Sequence, residues 1–475
     1  MSLLSTVRIR GVERLAGPLV VVRRLAGMAL GEDVAVVGAD GRARHGQVIE
    51  LDADVAVVGV YEGTAGLELA TTTVEPTGEP FRLPLSAAML GRIMDGRGRP
   101  IDGGPPIVPT ARRDVNGAPI NPAARDNPRD FIETGVTAID LLTSLVRGQK
   151  LPIFTAAGLP ANELAARIAT GARVIGEERF VTVFGAMGIT RREADDFRDA
   201  FAGSGVIDRI ASFLNLADDP AVERLLTPRC ALTLGEYLAF ELGFDVLVVL
   251  TDMTAYGEAL RELSTAREEI PGRRGYPGYL YTDLATLFER AGRVRGRPGS
   301  VTVLPIVTMP DDDITHPIPD LTGYITEGQI VLSRELWARG IDPPIDILPS
   351  LSRLMNAGIG EGRTVAEHRV VADQLYATYA RARDLRRLVT VVGEAALTAD
   401  EQAVLAFGDA FERRLVGQGA ARRGLEASFE IAWRLLLELP RAELGRIPDE
   451  VLAARSAPAS PSPAGDAAAT SEAPG

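Results

Sequence analysis

The sequence predicts an α/β protein in three parts: a small N-terminal β-barrel, a central doubly wound α/β domain and a C-terminal α-helical domain. Three observations predict it. Short valine-rich runs broken by Gly and Asp fill the first part. Apolar strands alternate with helical patterns in the second. Capped helices with apolar stripes make up the third.

Residues 1–76 carry the barrel pattern. Leu19–Val22, Val34–Val37, Gln47–Leu51 and Val55–Tyr61 read as strands, with Gly31, Gly38, Gly41 and Asp52–Asp54 as punctuation. Residues 77–130 are rich in Gly and Pro and read as an extended, turn-rich wrap into the next unit, so the central domain is assigned residues 77–355. Within it, Leu151–Phe154, Phe180–Phe184, Ala211–Leu214, Val246–Leu250 and Val301–Val307 are buried-strand runs. Helices lie between them, so the sheet is mostly parallel and covered on both faces. Thr190 with Glu193 forms a capping box. Thr227 with Pro228 reads as a helix start that Gly243 closes. Residues 356–455 are helical, with capping boxes at Thr364/Glu367 and Thr398/Glu401 and core stripes Val371, Leu375, Tyr379, Ala382 and Val404, Phe407, Phe411, Leu415. Residues 456–475 are almost all Ala, Ser, Pro, Gly and Thr and read as a disordered tail.

Composition narrows the function. Acidic residues number 64 against 51 basic, a net charge of -13 that argues against nucleic acid and against electrostatic attachment to anionic lipid. No run approaches the roughly 18 apolar residues of a membrane span. Arg8, Arg10, Glu13 and Arg14 interrupt any signal-peptide core. The expectation is a soluble protein whose membrane role, if any, runs through partners. Cys230 is the single cysteine, read as a small core residue.

The segment Leu151 to Ala166 runs strand, short loop, helix, where a doubly wound NTPase places its phosphate loop. A working loop needs G-x-x-x-x-G-K-[ST]: the lysine neutralises the β and γ phosphates, and the hydroxyl holds Mg²⁺. Here Ala161 stands at the lysine position and Asn162 at the hydroxyl position, and Gly158 keeps some of the glycine character. The residues read either as an ordinary strand-turn-helix without ligand or as a weak phosphate site on a helix N-terminus. Neither supplies the charge for hydrolysis. Asp252, after Val246–Leu250, holds the place of a Mg²⁺-orienting aspartate, but without the lysine and hydroxyl that role is unsupported. Glu268 to Tyr279 reads as a mobile surface loop, and Arg353 taken alone is a surface or salt-bridge arginine.

Longer motifs carry a resemblance. Phe131 to Asp140, Val146 to Phe154, Gly158 to Glu163, Ala217 to Pro220, Leu226 to Arg229, Leu250 to Thr254, Glu268 to Ala291, Met309 to Asp313, His316 to Gln329 and Pro349 to Asn356 resemble the B subunit (beta chain) of V/A-type ATPases, from about residue 15 to about 450. The resemblance implies a RecA-like P-loop NTPase core with a degenerate phosphate loop. It implies a non-catalytic, regulatory subunit, with three such subunits alternating with three catalytic A subunits in a head around a rotating stalk. That head is coupled to a membrane ring moving H⁺ or Na⁺. The chain would be cytoplasmic and peripheral to the membrane. It would bind no cofactor tightly itself, with ATP or ADP and Mg²⁺ at the A–B interface and Gly158, Ala161, Asn162 and Asp252 lining a weak or empty pocket of its own. Arg353 matches the family's arginine finger, which acts in trans on the A-subunit site. Two features depart from the family: Thr155-Ala-Ala-Gly158 replaces Ser-Gly-Ser-Gly, and the C-terminal tail has no counterpart. Two other readings compete: a self-sufficient ATPase with an unorthodox loop, opposed by the missing lysine, and a ring-shaped nucleic-acid or secretion motor, opposed by the acidic charge.

Overall fold

The computed structural model describes residues 8–24, 27–176 and 179–456. The tail called disordered lies, apart from Ser456, outside the described residues.

The valine runs near the N-terminus alternate buried and half-exposed along each strand, the period-2 signature of a sheet with one apolar face. Seven antiparallel strands form this sheet, in the order Ile9–Arg10, Thr73–Pro80, Glu32–Val37, Ala43–Leu51, Val55–Val60, Leu19–Arg23, Arg14–Ala16. Its inner face packs largely on itself, through Val20, Val22, Val34, Val36, Val48, Val58 and Val74, all at most 1% exposed. A sheet that covers its own apolar face must curl, which is the barrel the sequence predicts. The strand Thr73–Pro80 was missed because Pro76, Gly78 and Pro80 mask it.

The central sheet runs Ile345–Ser352, Gly328–Leu332, Ile153–Ala156, Ser300–Met309, Asp245–Thr251, Phe180–Ile189, Ile210–Leu216, Ile93–Asp95. Neighbours along it are parallel except the first pair, Ile345–Ser352 with Gly328–Leu332. Its strands are buried on both faces. Along Phe180–Ile189, Phe184 and Ala186 face one core while Val181, Val183 and Met187 face the other. The first core holds the helices Ala161–Gly171 and Arg191–Gly203, and the second holds Ala221–Glu236, Met253–Ala266 and Leu280–Phe288. The supposed wrap of residues 77–130 is more ordered than its composition implies. Ile93–Asp95 joins the sheet edge beside Ile210–Leu216, and Ala111–Asp114 pairs with Arg82–Leu85.

Two helix starts are corrected. Thr227–Pro228 is no N-terminus: the helix begins at Ala221 and Pro228 sits inside it. Thr227 Oγ1 donates instead to the Glu223 carbonyl at 3.0 Å. Leu226, Cys230, Ala231 and Leu234 bury this helix against the sheet, and tertiary burial outweighs the roughly 3 kcal/mol that an interior proline costs. Gly243, at φ +76, does end the helical run, after a π-turn at Tyr237–Glu241. The Thr364/Glu367 box is likewise not formed. The Thr364 hydroxyl accepts from the Gly360 N–H and bonds His368, Glu367 pairs with Arg455, and the helix starts at His368. The boxes at Thr190/Glu193 and Thr398/Glu401 form as expected.

The C-terminal helices His368–Val392, Ala399–Ala410 and Leu425–Leu437 share the first core. All eight stripe residues named above are buried. Glu133, wholly buried, ties this unit to the sheet by accepting from Arg173 Nε at 2.5 Å, Arg422 Nη2 at 2.8 Å and the Leu425 N–H at 2.8 Å. Cys230 is buried in the second core, and burial pushes its thiol up, as a core residue requires.

Candidate functional site

A cavity of about 890 Å³ opens where the central strands end, in the crevice that doubly wound sheets offer to ligands. It brings together four residues singled out from the sequence: Gly158, Ala161, Asn162 and Asp252. Ile153–Ala156 ends, Gly158 turns the chain at φ +80, and the helix Ala161–Gly171 begins. The turn and helix are therefore of phosphate-loop form, while the side chains are not.

Asn162 is held on both sides. Its Nδ2 donates to Glu193 Oε1 at 2.9 Å and its Oδ1 accepts from Thr251 Oγ1 at 3.1 Å. Glu193 is the capping-box residue, whose Oε2 also accepts from Thr190. Asp252 spends its carboxylate on backbone. Oδ1 accepts from the Thr254 N–H at 2.8 Å and the Thr308 N–H at 3.1 Å, capping the helix Met253–Ala266. Burial raises its carboxyl above the usual range, although Thr308 and Thr254 hold it down. Through Oδ1 it caps that helix, and it still lines the cavity.

Charge decides what the cavity can hold. Glu163, Glu193, Asp196, Asp252 and Asp342 line it, and Arg167 is the lining cation among the described residues. Arg167 is already committed, to Asp342 Oδ1 at 2.8 Å and the Gly419 carbonyl. A triphosphate would meet a wall of carboxylates with no free ammonium or guanidinium to offset them. The residues present do not fit it. Sequence reading missed Asp196 and Asp342 because neither lies near the loop in the chain; Asp342 arrives from beyond the strand Gly328–Leu332.

Arg353 lies elsewhere. It follows the strand Ile345–Ser352, which runs antiparallel to Gly328–Leu332, with Ser352 opposite Gly328 and Ile345 opposite Leu332. Gly328–Leu332 is itself parallel to Ile153–Ala156. Arg353 therefore sits at the end of the sheet remote from Gly158, roughly 20 Å away along the strand direction. The residue is exposed, and its guanidinium Nη1 donates to the Thr326 carbonyl at 3.3 Å, with no carboxylate paired to it among the described residues. The salt-bridge reading of Arg353 fails and the surface reading holds.

The Glu268 to Tyr279 loop is pinned in part. Tyr276 is 2% exposed and donates to Glu258, Arg273 pairs with Asp320 at 3.2 Å and Arg274 with Asp313 at 2.9 Å. Ile270 is 92% exposed, and Glu268, Pro271 to Arg274, Gly278 and Tyr279 are exposed as well, so the surface reading holds for most of the segment, with Tyr276 and Pro277 buried. No helix among the described residues is long and apolar enough to cross a membrane.

Comparison with known proteins matches all three parts in order. The beta-barrel domain of the ATP synthase alpha/beta family matches residues 12–78, the nucleotide-binding domain of that family 135–352, and the C-terminal domain of V and A type ATP synthase 357–456. The V-type ATP synthase beta chain of Anaeromyxobacter sp. (strain K) is 59% identical over 474 residues, 98% of each chain. That of Anaeromyxobacter sp. (strain Fw109-5) is 59% identical over 95% of this chain and 98% of its own. The solved structure of the ATP synthase subunit NeqB from Nanoarcheaum equitans superposes with a TM-score of 0.71 at 39% identity, covering 89% of this chain and all of that one. With full-length identity at this level and every domain matched in sequence, the chain belongs to the family of V-type ATP synthase beta chains, the B subunits of V/A-type ATP synthases.

Proposed function

We propose that the chain is the non-catalytic, regulatory member of its complex and acts by lending Arg353 to the ATP site of a neighbouring catalytic A subunit. Three copies would alternate with three A subunits in an A₃B₃ head, in contact with the central and peripheral stalk subunits. The head would lie on the cytoplasmic side, attached to the membrane only through the complex. ATP or ADP with Mg²⁺ would sit at the A–B interface, and turnover would be coupled to H⁺ or Na⁺ transport.

One observation carries the reading: the cation missing from the chain's own pocket is matched, at the far end of the sheet, by an exposed guanidinium with no carboxylate paired to it among the described residues. Arg353 is too remote to serve Gly158 and Asn162 of its own chain, and with Nη1 on the Thr326 carbonyl and no acceptor for Nη2 and Nε among the described residues, these can donate to an acceptor brought by a partner. A guanidinium placed against the oxygens of a transferring phosphoryl group offsets charge that grows toward the transition state. Fingers of this kind contribute about 10³–10⁵ in rate, or roughly 4–7 kcal/mol. The same contact would make closure of the A–B interface depend on the nucleotide state.

The test is steady-state ATPase activity of a reconstituted A₃B₃ head carrying Arg353→Ala. Turnover should fall by about 10³-fold or more while the hexamer still assembles. Near wild-type turnover in an intact head would reject the role of Arg353. ATP hydrolysis by the purified chain alone, well above background, would favour a self-sufficient ATPase instead.

A further inference from the structure

The proposed finger does not hang from a loose loop. The Arg353 N–H donates to the Glu327 carbonyl at 2.9 Å, and its guanidinium donates to the Thr326 carbonyl at 3.3 Å. Residues 326–327 are thus the seat of Arg353, and that seat is clamped from the core. The Glu327 N–H donates to the Lys150 carbonyl at 3.0 Å, and the Lys150 N–H returns to Glu327 Oε2 at 2.7 Å. Lys150 Nζ reaches the other oxygen, Oε1, at 2.8 Å. Gln149 Nε2 donates both to the Glu327 carbonyl at 3.1 Å and to Ser352 Oγ at 2.9 Å, stapling the residue before the finger to its seat. Lys150 is itself fixed, 4% exposed at the side chain, by Glu289 Oε1 at 3.0 Å. Glu289 in turn accepts from Arg125 at 2.5 Å.

We propose that Lys150 and Glu327 are positioning residues for Arg353, holding the Thr326 carbonyl and the Arg353 backbone so that the guanidinium is pre-aimed at the partner site. This rests on the reading of Arg353 as a finger. An ion pair with one partner buried and the other half-buried is a poor source of net stability, because desolvation cancels much of the attraction. What this one supplies is a fixed geometry: both carboxylate oxygens and both backbone groups of Glu327 are engaged, all by residues 149, 150 and 353. A long, flexible arginine reaches a charge in another subunit efficiently only if its root is immobile. Gly328 explains why the seat can lie so close: at φ +144, a Cβ there would overlap the Leu351 carbonyl.

The experiment uses reconstituted A₃B₃ heads with Glu327→Gln, Lys150→Met and Lys150→Arg, each checked for hexamer assembly by size exclusion. Glu327→Gln is isosteric and keeps the falsifying power should Lys150→Met fail to assemble. The expected result for Glu327→Gln is a fall in kcat of about 10- to 100-fold with KM for MgATP held within about twofold, and Lys150→Arg should restore most of what Lys150→Met removes. In a head already carrying Arg353→Lys, whose ammonium lacks the guanidinium fork, Glu327→Gln should cost less than about threefold, because there is no fork left to aim. Wild-type kcat for Glu327→Gln and Lys150→Met overturns the positioning role, as does an equal loss in both backgrounds, and either leaves the finger itself standing. Full activity of Arg353→Ala would instead remove the finger and the positioning role together.

Discussion

Restoring the phosphate loop should convert the pocket into a better nucleotide site, by an amount set by the groups now in it. The perturbation is Ala161→Lys with Asn162→Thr. Ala161 is 6% exposed and lines the cavity, so a lysine there extends into the space beside Gly158. Threonine at 162 releases Glu193 and Thr251 from the amide they now hold. A charge-assisted hydrogen bond contributes about 1.5–3 kcal/mol, a factor of roughly 10 to 150 in Kd. The carboxylates of Glu163, Asp196 and Asp252 remain in the wall and keep the result well short of a catalytic site. Titration calorimetry of MgATP into the purified chain measures the change, with Ala161→Met/Asn162→Thr as the control of similar length without charge. The wild-type chain should bind weakly, the methionine control no better, and the lysine form about 10-fold or more tighter, with a gain that shrinks as salt rises. The reasoning is refuted if the wild-type chain binds as tightly as the lysine form, or if the methionine control gains as much.

Glu133→Ala should cost about 3 kcal/mol in chemical unfolding, since it strips a buried carboxylate from Arg173, Arg422 and the Leu425 N–H while both arginines keep access to water; a loss under about 1 kcal/mol would contradict its role as the tie to the helical unit. Gly299→Ala should destabilise by about 3 kcal/mol or more and reduce soluble yield, because the new Cβ overlaps the backbone carbonyls of Ala239 and Phe244, neither of which can rotate away. Burial, with Asp95 and Asp219 nearby, pushes the Glu223 carboxyl up to about 7 against the pull of Arg97 and Arg99. A folded-state pKa above the unfolded one means the native state binds the extra proton, so stability falls as pH rises through about 7. Glu223→Gln keeps an acceptor for the Gly96 N–H, and its thermal midpoint should exceed the wild type by more at about pH 8.5 than at about pH 5.5; a pH-independent difference would refute this.

Short-range physics made much of the molecule legible in the chain. The alternation of Val34 to Val37, the double-sided apolar run Val246–Leu250 and the stripe Val371, Leu375, Tyr379, Ala382 each state which face is buried, because side-chain period follows backbone geometry. The boxes at Thr190 and Thr398 formed because their partners lie three residues away. Where the local signal competed with packing it lost: Pro228 sits inside a buried helix, and Thr364 bonds Gly360 and His368 instead of opening one. Ile93–Asp95 and Thr73–Pro80 were hidden by Gly and Pro, since pairing with a distant strand leaves no local trace.

By itself the sequence determined the absence of the lysine and hydroxyl at Ala161 and Asn162, and with it the kind of chemistry the loop cannot perform, because that depends on residue type alone. Only the tertiary structure decided where the remaining charges stand. Asp196 and Asp342 join Glu163 around one cavity, Asp252 turns to its own backbone, and an antiparallel edge strand carries Arg353 to the far end of the sheet onto a seat built from Gln149, Lys150 and Glu327. Those placements follow from strand order and register, which arise from contacts between residues nearly two hundred positions apart, and electrostatics acts on such distances in space rather than on neighbours in the chain.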